Sequence, residues 1–151
     1  MAASVMTPAT YKLLDTVADS FNPLLALLAI AVPFLRKPRS LRATLAFYLS
    51  AGIAIGVVYV VRFIDERQQI WSSFGLDYST HSAFAASLVV SISTFLRRAW
   101  IPLSVSLVLY FCLELFMRYH GIFDIVTSAS LAAVVALLSH MAVVRLSAKS
   151  S

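Results

Sequence analysis

Apolar runs of about 20 residues, long enough for a helix to cross a bilayer at about 1.5 Å rise per residue, alternate along the chain with short polar connections. Five such runs are expected as spans, at about 17–35, 43–63, 81–96, 99–117 and 122–144. Ahead of them, Leu13, Leu14 and Val17 recur at helical spacing opposite Lys12, Asp15 and Asp19, which predicts an amphipathic helix lying in the membrane interface within 1–20. Pro23 and Pro33 interrupt the first span and predict a kink or tilt. Gly52 and Gly56, four apart in the second, suggest close helix packing. The third is rich in serine (Ser82, Ser87, Ser91, Ser93), and the polar stretch before it, from Arg62 to Thr80, is the longest connection between spans. The expected fold is an all-α polytopic transmembrane bundle, a single membrane domain over residues 1–151.

Composition agrees, with 60% of residues hydrophobic and 13% charged, against a soluble average that is about a quarter charged. The spans leave no room for a separate soluble domain. Cys112 is the single cysteine and sits inside an apolar run, so no intrachain disulfide and no paired-cysteine zinc site can form. Lys12, Asp15 and Asp19 break the pattern of a cleavable secretory signal, and the N-terminus is expected to be retained.

Charge sets the orientation. Arg36, Lys37, Arg39, Arg42, Arg97, Arg98, Arg145 and Lys149 fall on one side of a five-span arrangement, which the positive-inside bias assigns to the cytoplasm. All seven carboxylates, Asp15, Asp19, Asp65, Glu66, Asp77, Glu114 and Asp124, fall on or near the other, with His81 and His120. The net charge of +5 is therefore a topology signal and implies no nucleic-acid partner. Trp71, Tyr78 and Tyr119 on the outer side and Trp100 on the inner are expected as interfacial aromatics, and His140 as a helix-contact residue. Glu114 differs, because a carboxylate within a span marks a functional site or a dedicated partner.

Two segments gather groups capable of chemistry: Asp77-Tyr78-Ser79-Thr80-His81 at the start of the third span, and Arg118-Tyr119-His120-Gly121-Ile122-Phe123-Asp124 at the start of the fifth. His120 and Asp124 are four apart and share a helical face, so the carboxylate can orient the imidazole and raise its basicity. A histidine held this way is a nucleophile candidate, and His81 a general acid for the departing oxygen. Read singly, either histidine is also a solvated interfacial residue, and Asp124 an ordinary N-cap or dipole partner at a helix start. A metal bound by His81, His120 and Asp124 is a further chemical possibility.

These segments resemble the type-2 phosphatidic acid phosphatase superfamily of membrane lipid phosphatases and its sphingomyelin-synthase-like phosphotransferases, over residues 59–135. The family's Pro-Ser-Gly-His is matched by Ser79 and His81, with Tyr78 and Thr80 at the proline and glycine. Its Ser-Arg, five residues, His, three residues, Asp is matched by His120 and Asp124, with Glu114 where the arginine is expected and Arg118 two residues before the histidine. The family's first motif, a lysine followed by Arg-Pro, is absent, although Arg62 and Arg67 occupy its region. The transferase branch keeps a His, three residues, Asp-Val/Ile pattern, which His120 to Val126 fits.

The resemblance implies a phosphohistidine mechanism without cofactor or metal. His120 would attack phosphorus, Asp124 orient it and His81 protonate the leaving oxygen, while Arg118, Arg62, Arg67, Ser79 and Thr80 hold the phosphate. The implied substrate is a membrane lipid phosphate or pyrophosphate, of polyprenyl pyrophosphate or phosphatidate type, hydrolysed on the extracytoplasmic face of a bacterial inner or plasma membrane. A head-group phosphotransferase and a non-catalytic lipid-binding or assembly protein are the alternatives. The sequence sets no oligomeric state.

Overall fold

The computed structural model describes residues 7–35 and 40–149. Arg36, Lys37 and Arg39 of the basic connection, and residues 1–6 of the expected interfacial helix, lie outside them. The described chain is helical: α1 (Pro8–Leu35), α2 (Leu41–Gln68), a single turn α3 (Ile70–Ser73), α4 (Thr80–Phe95), a 3-10 turn (Arg97–Ala99), α5 (Trp100–Met117) and α6 (Ile122–Lys149). Four of these, α1, α2, α5 with its leading turn, and α6, are long and apolar enough to cross a membrane.

The shorter α4, with 16 residues, is the axis of the molecule. It spans only about 24 Å at 1.5 Å per residue, less than a hydrocarbon core, and it is in contact with each of α1, α2, α5 and α6. Ser82, Ala83, Ala85, Ala86, Ser87, Leu88, Val89, Ser91 and Ile92 are all buried, so α4 is covered over most of its circumference. Small side chains make that possible, because they let neighbouring backbones approach closely where lipid supplies no hydrophobic drive between helices. The serines thus face protein. Toward the end of α4, Phe47 of α2 meets Phe95 at 4.7 Å between ring centroids; nearer its start, Phe21 stacks on Tyr110 at 4.2 Å to hold α1 against α5.

Two elements differ from expectation. The interfacial segment and the first span are one continuous helix, α1, which runs through Pro23 and Pro33. Thr16 donates its hydroxyl to the Lys12 carbonyl and Ser20 to that of Thr16, so the residues that could have capped a new helix are satisfied inside the existing one. The polar connection is also shorter than expected, since α2 continues to Gln68 and stops where Gln69 takes a left-handed conformation (φ 52°).

What remains of that connection is pinned. Asp65 accepts from the Trp71 backbone N–H at 2.8 Å, and the Trp71 indole donates to Thr127 of α6 at 3.0 Å. Tyr78 lies fully buried, its hydroxyl donating to the Val58 carbonyl at 3.3 Å. Burial, reinforced by Asp65, pushes its phenol up to about 12, so it stays a neutral donor. The strand of loop entering α4 is thereby fixed from both α2 and α6.

Candidate active site

The start of α4 is held by serines. Ser79 caps the helix, its hydroxyl accepting from the Ser82 backbone N–H at 3.3 Å and meeting the Ser82 hydroxyl at 2.8 Å. Its own N–H donates to Ser128 of α6 at 3.0 Å. Ser82 in turn donates to Glu114 of α5, a buried carboxylate. Expected to hold substrate, Ser79 is instead completely buried and spent on the helix start. Thr80 and His81, the next two residues, face open space.

His120 follows a sharp reversal. Arg118 ends α5 in a left-handed conformation (φ 60°), and the Tyr119 N–H closes the turn on the Glu114 carbonyl at 3.1 Å. His120 Nδ1 then stands 3.4 Å from a carboxylate oxygen of Asp77. Asp124, the expected orienting group, is engaged elsewhere: one oxygen accepts from Gly121 N–H at 2.7 Å and the other from Asp77 N–H at 2.9 Å. It caps α6 and carries Asp77 to the histidine, because unpaired backbone donors at a helix start compete directly for a carboxylate three residues on. Gly121 belongs to the same arrangement, as a Cβ there would approach Asp124 Oδ2 to 3.1 Å.

His81 and His120 line one cavity of about 310 Å³ together with Asp15, Asp19, Tyr110, Glu114 and Tyr119. A second cavity of about 450 Å³ shares Asp19 and His81 with it and continues between α1, α2 and α4, past Pro23, Ala26, Tyr59, Thr80 and Phe84. Between them stands Asn22, whose amide nitrogen donates to the His81 carbonyl at 3.3 Å and to the Tyr110 hydroxyl at 3.4 Å. The carbonyl can only accept, which fixes the amide orientation and leaves the buried Asn22 Oδ1 without a partner.

The expected phosphate-binding cations are not at this cavity. Arg62 is paired with Glu66 at 2.7 Å, Arg67 lies over the Phe63 ring at 4.4 Å, and Arg118 is exposed at its turn. No lysine or arginine is among the residues lining either cavity. Carboxylates hold the corresponding places, two of them brought by α1, whose Asp15 and Asp19 read in sequence as the polar face of an interfacial helix. Asp15 accepts from the Tyr119 hydroxyl, and burial together with that bond holds the Tyr119 phenol above its ordinary value. Among the described residues no three His, Cys, Asp or Glu side chains are grouped to hold a metal ion, so the set of His81, His120 and Asp124 does not assemble.

Replacing Asp124 by alanine is expected to cost about 2 kcal/mol, because two backbone donors lose their acceptor. Asp124→Asn keeps one acceptor oxygen for one of the two donors and should lose about half of that, read as the thermal midpoint in detergent. Equal losses would place the effect in the charge of Asp124 rather than its acceptor role.

Compared with protein-family models, curated proteins and solved structures, the chain gives no match.

Proposed function

We propose that this protein cleaves membrane lipid phosphate esters through a phosphohistidine intermediate, with His120 as nucleophile and His81 as general acid. The observation that carries this reading is the shared cavity: two histidines from the starts of different helices face one space large enough for a phosphate head group. The adjoining cavity, lined partly by Pro23, Ala26, Tyr59 and Phe84, offers a lipid tail a path between α1 and α2.

Asp77 stands 3.4 Å from His120 Nδ1 without a hydrogen bond to it; on this reading the carboxylate closes onto Nδ1 when substrate binds, which leaves Nε2 as the attacking nitrogen. Nε2 attacks phosphorus, the N–P bond forms as the ester P–O bond breaks, and the leaving oxygen takes a proton from His81. Water then attacks the phosphohistidine and gives its proton back to His81, which restores the enzyme and releases phosphate. On this reading the carboxylate-bearing end of the bundle faces the extracytoplasmic side and the arginine-bearing end the cytoplasm.

One observation favours head-group phosphotransfer as the second reading. Asp15, Asp19 and Glu114 line the histidine cavity, and each ionised carboxylate about 5 Å from a phosphate charge opposes it by about 3 kcal/mol at an effective dielectric of about 20. A dianionic monoester meets that repulsion twice over. A phosphodiester carries one negative charge, and an amine in its head group would turn the same carboxylates into partners.

The test is turnover by purified protein on phosphatidate, a polyprenyl pyrophosphate and phosphatidylethanolamine, the last with and without a diacylglycerol acceptor whose acyl chains differ in mass from the donor's, so that the product is distinct from the substrate. Phosphate release from either of the first two supports the hydrolase. Head-group transfer only when the acceptor is present supports the transferase. No turnover of any of them, with the protein folded, leaves a non-catalytic head-group binder.

A further inference from the structure

A second polar cavity lies at the other end of the bundle, between α4, α5 and α6, with a volume of about 420 Å³. It shares no residue with the histidine site. Along α4, His81 and Arg97 are separated by about 24 Å of helix at 1.5 Å per residue. We propose that this cavity binds the phosphate oxyanion of an anionic lipid head group.

Its polar lining is made of donors. Arg97, in the 3-10 turn that joins α4 to α5, contributes a guanidinium, His140 of α6 an imidazole, and Ser93 and Ser104 hydroxyls. None of these side chains has a hydrogen-bond or ion-pair partner within the described residues, and the Ser93 hydroxyl is buried in that condition. A buried hydroxyl without a partner carries a desolvation cost that a ligand oxygen removes. The usual competitor for an arginine is a carboxylate, and all seven Asp and Glu side chains of the chain lie near the opposite end, six on helices and Asp77 in the connection before α4. A fork of guanidinium donors beside hydroxyls suits a phosphate oxyanion, which accepts several charge-assisted bonds at once.

The surroundings point to a lipid as its source. Trp100 lines the same cavity and is 57% exposed on the flank of the bundle, the position an indole takes at the level of lipid head groups. Val89 and Leu137 supply apolar lining where the glycerol and first methylenes of a lipid would lie. Free phosphate offers the same oxyanion and no apolar part, so the two sources separate by experiment.

The protein in detergent would be equilibrated with equal amounts of chain-matched phosphatidylglycerol and diacylglycerol, which lacks the phosphate, and bound lipid counted by native mass spectrometry. Phosphatidylglycerol should be retained about tenfold over diacylglycerol, the factor of a single charge-assisted bond of about 1.4 kcal/mol. Arg97→Gln should abolish the preference and Ser93→Ala reduce it. Arg98→Gln, an exposed change in the same turn but outside the cavity, should leave it intact. Millimolar inorganic phosphate that fails to displace phosphatidylglycerol identifies the lipid as the ligand. Displacement by phosphate overturns the lipid source, and equal retention of the two lipids, or equal losses in Arg97→Gln and Arg98→Gln, overturns the site.

Discussion

His120→Ala should lower turnover of a lipid phosphate ester by about a thousandfold or more, since it removes the atom that bonds to phosphorus rather than a group that assists. His81→Ala should also be severe, in the range of about a hundred to ten thousand for a lost general acid. The two separate by leaving group. An alkoxide leaving from a lipid ester needs a proton, whereas p-nitrophenolate is stable as the anion. On a p-nitrophenyl phosphate ester of the same head group, His81→Ala should therefore recover most of its rate, and His120→Ala should recover none. Comparable activity of His120→Ala and the parent on both substrates would end the phosphohistidine reading. If both variants fail equally on both substrates while remaining folded, the histidines act together in binding and the general-acid role assigned to His81 is lost.

The spans were legible because hydropathy runs end at charges: α5 stops at Met117 before Arg118, and α6 begins at Ile122 beyond the polar turn. Convergence of His81 and His120 was also legible, because alternate spans begin on the same face and both residues lie at span starts. The partners of those histidines were not. Asp124 had the right spacing to reach His120, yet backbone donors at the start of α6 captured it, and Asp77 arrived instead from a connection 47 residues earlier in the chain. No local pattern encodes that exchange. Asp15 and Asp19 were visible as the polar face of a helix, but only the continuity of α1 through Pro23 lays them over the histidine cavity. The cations failed in a related way: Arg62 and Arg67 lie on the last turns of α2, where Glu66 and Phe63 on the same helix occupy them. Neighbours one turn away are always within reach, and a distant ligand must compete with them.

The centre of the bundle offers the largest stability effect. Ala83 is fully buried in α4 and packs with Val58 of α2, Ala132 of α6 and the Tyr78 ring. Beside it, the Ser79 N–H reaches Ser128 of α6 at 3.0 Å, a contact that requires α4 and α6 to stay close. Ala83→Leu forces extra carbons between two helices that have no flexible side chain to give way. Overpacking of a well-filled core costs about 1–3 kcal/mol, and the upper end is expected here because the neighbours are an alanine and a capped helix start. Val108→Leu, on the outward side of α5 and 59% exposed, enlarges a side chain with room around it and should be nearly neutral. Thermal midpoints in the same detergent compare the two directly. A loss in Ala83→Leu should be accompanied by lower activity even below its midpoint, because displacing α4 moves His81 away from His120. Equal midpoints for the two variants would mean that α4 and α6 are not held by the close approach of small residues. Full activity in a destabilised Ala83→Leu would mean that the position of His81 does not depend on that contact.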